Sequence, residues 1–451
     1  VIDRSRLHHL LDRERAWFIE RNPRSLAAYR ASGHLFGRVP MTWMNKTAAG
    51  FPVYLERARG AWVRDIDGHD YVDLCLGDTA AMAGHSPDAT VAAVTRRLSE
   101  LGGASAMLPT EDAAWVGAEL SRRFGVDQWS FSLTATDANR WVLRMVRAIT
   151  GRPRILVNSY CYHGSVDESL IVAGPGGEGM SREGNVGAPY PVTATSRVAE
   201  FNDLDGLERQ LAHGDVAAVL MEPALTNIGI ILPEPGYLDG VRELATRHGA
   251  LLINDETHTF SAGPGGCTAA WGLSPDIVTI GKAIAGGLPA GAYGMSRELA
   301  DQLAARTDLD LVDMGGVGGT LAGNALSMAA TRATLGEVLT DAAFTAMASL
   351  AERFTDGVQR VIDDHQLPWT VTRLGARAEY RFTSPAPRNG TESRAAQDAD
   401  LDDYFHVYLA NRGVLMTPFH NMALMSPATK QRDVDVHDDV FGAAVRELLA
   451  A

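Results

Sequence analysis

At 451 residues the chain is too long for one ordinary hydrophobic core, and its 46% apolar and 21% charged residues are those of a soluble globular protein. A formal charge of −14 argues against nucleic acid or an anionic membrane as partner, since both need a basic surface. Cys75, Cys161 and Cys267 are widely spaced with no C-x-x-C, so a disulfide framework and a zinc site are not expected and a reducing, cytoplasmic setting fits.

Residues 5–31 place Leu7, Leu10, Leu11, Trp17, Phe18 and Leu26 among charges, which predicts an amphipathic helix with a turn at Asn22-Pro23. The same stretch is too charged for a secretory signal, and no 18-residue apolar run occurs elsewhere. AWVRDIDGHDYVDL (61–74) alternates apolar and polar residues around Asp-Gly, a hairpin pattern. Short β-rich runs follow at 129–133, 154–158, 216–221, 250–254, 276–280 and 290–295. Helical stretches separate several of them, as in ANRWVLRMVRAIT, where Val142, Met145, Val146 and Ile149 share a face. Such alternation predicts an α/β domain with a mostly parallel sheet covered on both faces. From NALSMAATRATLGEVL a long helix leads into a smaller α+β portion with strands at WTVTRL and AEYRF. SPAPRNGTESRAAQDAD (384–400) reads as a mobile surface loop. The expected organisation is an N-terminal helix and hairpin segment (1–75), a large α/β domain (76–325) and a small C-terminal α+β domain (326–451).

In open α/β sheets ligands gather at the carboxyl ends of strands, so the residues just after each strand carry the argument. These are Thr134 to Asp137, Tyr160 to Gly164, Glu222-Pro223, Asp255-Glu256 and Lys282. Lys282 is one of only three lysines, with Lys46 and Lys430, and it ends an apolar run where a solubilising charge has no purpose. Asp255 ends the preceding run, and a buried carboxylate is costly unless something positive meets it. Two readings are open: a structural Asp–Lys pair, or a pair bracketing pyridoxal phosphate, with the lysine forming a Schiff base and the aspartate facing the pyridine nitrogen. LTATDAN (133–139) follows a strand and opens a helix, with Thr136 suited to the N-cap and Asp137 to the first turn. It reads either as an ordinary cap or as a phosphate site, and GGVGGTLAGN (315–324) as either a loop or a second glycine-rich anion segment ending at Thr320. The histidines show no metal-ligand spacing on a common helix, so no catalytic metal is expected.

Together these motifs resemble the class III aminotransferases of fold type I, near the glutamate-1-semialdehyde aminomutase branch. The resemblance rests on Thr134-Ala135-Thr136-Asp137-Ala138, Tyr162-His163-Gly164, Glu222-Pro223, Asp255-Glu256-Thr257, the segment Gly281 to Gly294, and Gly318 to Asn324, in consistent order over residues 50–450. It implies a fold type I architecture, a large domain with a mostly parallel seven-stranded sheet plus a smaller α+β C-terminal domain. It implies pyridoxal 5'-phosphate as cofactor, held as an internal aldimine by Lys282, with Asp255 at the pyridine nitrogen and the Y-H-G and E-P segments, with His163 and Glu222, beside it. Tyr162 and Thr257 would flank the ring, Ala135 and Thr136 would hold the phosphate, and His258 would lie near the phenolic oxygen. Thr320 would come from the neighbouring subunit of a homodimer. Glu222 is read as ordering the floor of the site.

The activity implied is transfer of an amino group from an amine or amino acid to a keto acid or aldehyde, with Lys282 shuttling the proton. The alternatives are a glutamate-1-semialdehyde-type 2,1-aminomutase and an inactive cofactor-binding relative. Intermolecular transfer is the preferred expectation because 76–87 and FHNMALM look apolar and open. TPFHNMALMSPA (417–428) lacks the arginine that many relatives use on a substrate carboxylate, which leaves the substrate open.

Overall fold

The computed structural model describes residues 2–450. Their contacts separate into two units, Asp88–Phe344 with Pro387–Ala395 in one, and the residues before Asp88, Thr345–Ala386 and those after Ala395 in the other.

The first unit is built on a seven-stranded sheet. Its strands in chain order are β1 (Gln128–Ser132), β2 (Arg154–Asn158), β3 (Ser196–Ala199), β4 (Val216–Met221), β5 (Leu251–Asp255), β6 (Ile277–Ile280) and β7 (Gly291–Met295). Their spatial order is β1-β7-β6-β5-β4-β2-β3, and only β7 runs antiparallel to its neighbours. Every residue of β4 is buried, as expected of a central strand with helices on both faces. The helix Ala135–Thr150 buries Trp141, Val142, Met145 and Val146, and the helix Tyr237–Arg247 buries Val241, Leu244 and Ala245, all in one core with the strand side chains. The strand that escapes a linear reading is β3, because four residues containing Ser196 and Arg197 make no apolar run.

Residues 384–400 are not the loose loop expected. Within the first unit, Gly390–Ala395 is helical, Ser393 is buried and donates to the Ile228 carbonyl, and Arg388 pairs with Glu234. The polar composition that looked loop-like supplies side-chain anchors instead.

In the second unit the N-terminal expectation holds closely. Helices Arg4–Arg21 and Pro23–Ala31 meet at Asn22, and Leu7, Leu10, Leu11 and Phe18 are buried. Trp17 instead lies beneath the guanidinium groups of Arg412 and Arg21, 5.0 and 5.5 Å from its ring centre. The hairpin forms between Trp62–Asp65 and Asp70–Asp73, turning at Gly68 with φ +94, and Leu55–Arg59 adds a strand beside it. Strands Thr370–Leu374 and Arg377–Arg381 pair antiparallel as predicted, and Met422–Leu424 extends their sheet.

The close packing of β4 gives a direct stability test. Leu220→Ala removes a fully buried side chain from the central strand and should cost about 2–5 kcal/mol, read as a lower urea midpoint.

Candidate active site

Six of the seven strands run parallel, so their carboxyl ends share one edge of the sheet. Glu222 directly follows β4, Asp255 closes β5, and Lys282 stands two residues past β6. Tyr160 to Gly164 follows β2, and the helix that begins at Ala135 follows β1.

Asp255 is buried and its carboxylate is fully engaged. Oδ2 takes the His163 Nδ1 and the Asn139 Nδ2, each at 2.9 Å, and Oδ1 accepts from the Thr257 backbone N–H at 3.1 Å. Asn139 reaches it from the helix, and also donates to the His163 carbonyl at 3.1 Å while accepting from the Thr279 hydroxyl at 2.7 Å. Thr279 lies beside Asp255 in the β5–β6 register, so Asn139 ties helix, strand and the 160–164 turn together. Burial alone would raise the Asp255 carboxyl from its ordinary 3.8; the hydrogen bond and charge of His163, with Thr257 and Asn139, outweigh it and hold it at about 2. Burial would lower the His163 imidazole, but the Cys161 sulfur and the Asp255 carboxylate raise it well above the ordinary value. The lowered Asp255 contributes stability that is present above its unfolded value and lost as pH falls through about 2. At neutral pH it is an anion. The raised His163 contributes stability below the ordinary imidazole range and loses it as pH climbs through its own raised value.

Lys282 adopts φ +51, a left-handed conformation that costs a non-glycine residue roughly 1–2 kcal/mol. Its Nζ lies 2.7 Å from His258 Nε2. Glu222 is buried and its Oε2 accepts from the Thr226 hydroxyl, in keeping with a floor-ordering role. Tyr162 is 44% exposed, so its ring is not core packing.

The helix cap falls two residues earlier than expected. Thr134, not Thr136, is the N-cap, its Oγ1 accepting from the Asp137 N–H at 3.1 Å and donating to the Asp137 carboxylate at 2.9 Å. The first intrahelical bond runs from the Ala138 N–H to the Thr134 carbonyl. Among the described residues the N–H groups of Ala135 and Thr136 therefore have no hydrogen-bond partner, and they point out of the helix start as an anion site requires. Two glycines leave room beside them. A Cβ on Gly164 would lie 2.0 Å from Thr136 Oγ1, and one on Gly281 would lie 2.9 Å from the Ala135 nitrogen. The Thr257 hydroxyl is buried and, among the described residues, has no hydrogen-bond partner. Open N–H donors, a glycine-walled cradle, a buried anion and a lysine on one sheet edge fit a phosphorylated pyridine aldehyde.

Thr320 behaves differently. It lines a cleft of about 470 Å³ with Met107, Leu108, Trp141, Tyr293 and Asn324, and no other candidate residue lines that cleft. Among the described residues, no group of three His, Cys, Asp or Glu is placed to hold a metal, and no helix is long and apolar enough to cross a membrane.

A profile of the family described as aminotransferase class-III matches residues 43–438. The chain belongs to the class III aminotransferases. Like other class III aminotransferases it is an enzyme with pyridoxal phosphate as cofactor, and its α/β fold is the fold type I one, with a smaller C-terminal domain. It is 34% identical over 432 residues to a glutamate-1-semialdehyde 2,1-aminomutase of Chloroflexus aurantiacus, covering 92% of this chain and 95% of that one. A solved glutamate-1-semialdehyde-aminomutase from Pseudomonas aeruginosa PAO1 is 46% identical, with TM-score 0.96 and coverage of 99% and 100%. An omega-transaminase from Sphaerobacter thermophilus is 29% identical, with TM-score 0.84 and coverage of 94% and 97%.

Asn139 is the residue that sequence reasoning missed. Its only sequence signal is a polar residue among the otherwise apolar buried positions of the helix, Ala138, Trp141, Val142, Leu143, Met145 and Val146.

The cradle can be tested through its wall. At Gly164, with φ +79, an added Cβ meets Thr136 backbone as well as side chain. Gly164→Ala should keep native circular dichroism while weakening pyridoxal phosphate binding by at least about tenfold in an absorbance titration, a loss of ~1.4 kcal/mol.

Proposed function

We propose that the protein uses pyridoxal phosphate to move an amino group between neighbouring carbons of one molecule, as a glutamate-1-semialdehyde 2,1-aminomutase. The observation that carries this reading is 46% identity over 99% of the chain to the Pseudomonas enzyme of that name. The expectation of transfer between two molecules gives way to it, because the more similar relatives carry the aminomutase name and the transaminases are more distant. Intermolecular transfer stays as the second reading, since residues 417–428 hold no arginine for a substrate carboxylate.

Bound pyridoxal phosphate supplies a carbonyl carbon that captures amines and a ring that draws electron density from the attached carbon. Lys282 is the nucleophile toward that carbonyl and, once displaced by substrate, the base that moves the proton. Asp255, ionised at neutral pH, favours the protonated ring nitrogen set against it, and Asn139 and His163 hold it in place. Ala135 and Thr136 bind the phosphate through the helix start. Tyr162 and Thr257 bound the two ring faces, His258 lies toward the phenolic side, and Glu222 orders the floor. A second copy of the chain supplies Thr320. The exposure of Met107, Leu108 and Val312 beside Thr320 (80, 73 and 75%) supports a surface that is covered by that copy.

Lys282→Ala should lose the visible absorption of the bound cofactor and the borohydride-trapped adduct, which in the parent chain maps by peptide mass to position 282. Asp255→Asn removes the anion but keeps the shape, and turnover should fall on the order of 10²–10³ with folding retained. Parent-like rates would remove Asp255 from the chemistry. For the reaction, holoprotein given glutamate-1-semialdehyde alone should release 5-amino-4-oxopentanoate, the isomer with the amino group moved by one carbon. Turnover of amines only when pyruvate is added, with alanine formed, would establish the second reading instead.

A further inference from the structure

Strand β6 is Ile277-Val278-Thr279-Ile280, and all four residues are buried. A hydroxyl in such a strand is costly unless it is hydrogen-bonded, and valine has the same shape without that cost. Thr279 is fully buried, and its hydroxyl donates to Asn139 Oδ1 at 2.7 Å. Asn139 is fully buried too, and its amide nitrogen donates to Asp255 Oδ2 at 2.9 Å and to the His163 carbonyl at 3.1 Å.

Chemistry fixes the direction of this chain of hydrogen bonds. A carbonyl and an ionised carboxylate only accept, so the amide turns its nitrogen to both of them and its oxygen to Thr279. Thr279 holds that orientation from a strand pinned on the far side of Asp255. Its carbonyl accepts from the Glu256 N–H at 2.8 Å, and the register sets it opposite Asp255. With His163 Nδ1 on the same oxygen, Asn139 completes a pair of donors on Asp255 Oδ2, whereas Oδ1 accepts from the Thr257 N–H. A carboxylate oxygen has two lone pairs, so Oδ2 is closed and Oδ1 is the oxygen with room for a further donor.

We infer that Thr279 is a positioning residue for the cofactor's ring nitrogen: its hydroxyl orients the Asn139 amide, the amide closes Asp255 Oδ2, and Oδ1 is thereby reserved for the ring N–H. The effect of Thr279 passes through Asn139 and Asp255. The inference rests on Asp255 facing the ring nitrogen of pyridoxal phosphate, and it assigns the strand residue that decides which carboxylate oxygen does so.

The test compares cofactor affinity with and without a ring nitrogen. Full-length chain stripped of cofactor is titrated with pyridoxal phosphate and with its analogue that carries C–H in place of the ring nitrogen. Thr279→Val keeps the shape of the side chain and removes the hydroxyl. It should weaken pyridoxal phosphate binding about twofold to tenfold, the range set by one hydrogen bond, and leave the affinity for the analogue at the parent value. Thr279→Ala repeats the removal in a smaller side chain and should show the same selective loss. Thr279→Ser keeps the hydroxyl and should bind both ligands as the parent does. Asn139→Leu should weaken pyridoxal phosphate at least as much, and adding Thr279→Val to it should bring no further loss. An equal loss for both ligands in Thr279→Val, or the same loss in Thr279→Ser, would show a packing role and overturn the inference. Asp255→Asn separates the two levels, since it should narrow the parent's preference for pyridoxal phosphate over the analogue. If it leaves that preference intact, the assignment of Asp255 to the ring nitrogen falls and the inference with it. If it narrows the preference while Thr279→Val keeps it, the inference alone is overturned.

Discussion

Around one buried carboxylate the carboxyl-end edge of the sheet is arranged. Asp255 is buried almost completely from water, yet it stays ionised because two side chains and one backbone N–H replace the hydration it lost. Taking away one of those partners would leave a charge buried without compensation, which is among the more costly defects a core can carry. This gives the neighbouring secondary structure a reason for its placement. The helix after β1 must bring Asn139 inward, the turn after β2 must bring His163, and β6 must present Thr279 beside Asp255 to hold Asn139.

The same turns that serve Asp255 also build the anion cradle. Gly164 follows His163 and presses on Thr136, and Gly281 precedes Lys282 and presses on Ala135. His163 and Lys282 are thus each flanked by a glycine that lets its own segment approach the helix start. Asp255, Lys282 and the open start of the helix at Ala135 lie as neighbours because strands of a parallel sheet end on a common edge. Positive φ at Lys282 fits this crowding: the backbone leaves β6 through a conformation that a lysine adopts only at some cost, held by the packing on either side.

The two candidate anion-binding segments of the sequence part company in the structure. Thr134 to Ala138 joins the edge that carries Asp255 and Lys282, whereas Thr320 lies in a separate cleft with Trp141 and Tyr293.

Much of this was legible from residues alone. The alternating apolar runs announced a parallel sheet; the rarity of lysine and its place after an apolar strand singled out Lys282; the order of short motifs identified the family. These signals are local, because strand periodicity and the residue that ends a strand are properties of a few consecutive positions. What only the tertiary structure decided lies between distant positions. Asn139 meets Asp255 across 116 residues, and Lys282 meets His258 across 24. Likewise, β3 takes its place by pairing with β2 rather than by its own composition, and the polar 387–395 stretch is ordered by Ile228, Glu234 and Glu200. The first residues of the chain also cluster with the last ones, which no reading along the chain could reveal. Hydrogen bonds and burial are set by which elements pack together, and a one-dimensional pattern records what each element is, not whom it meets.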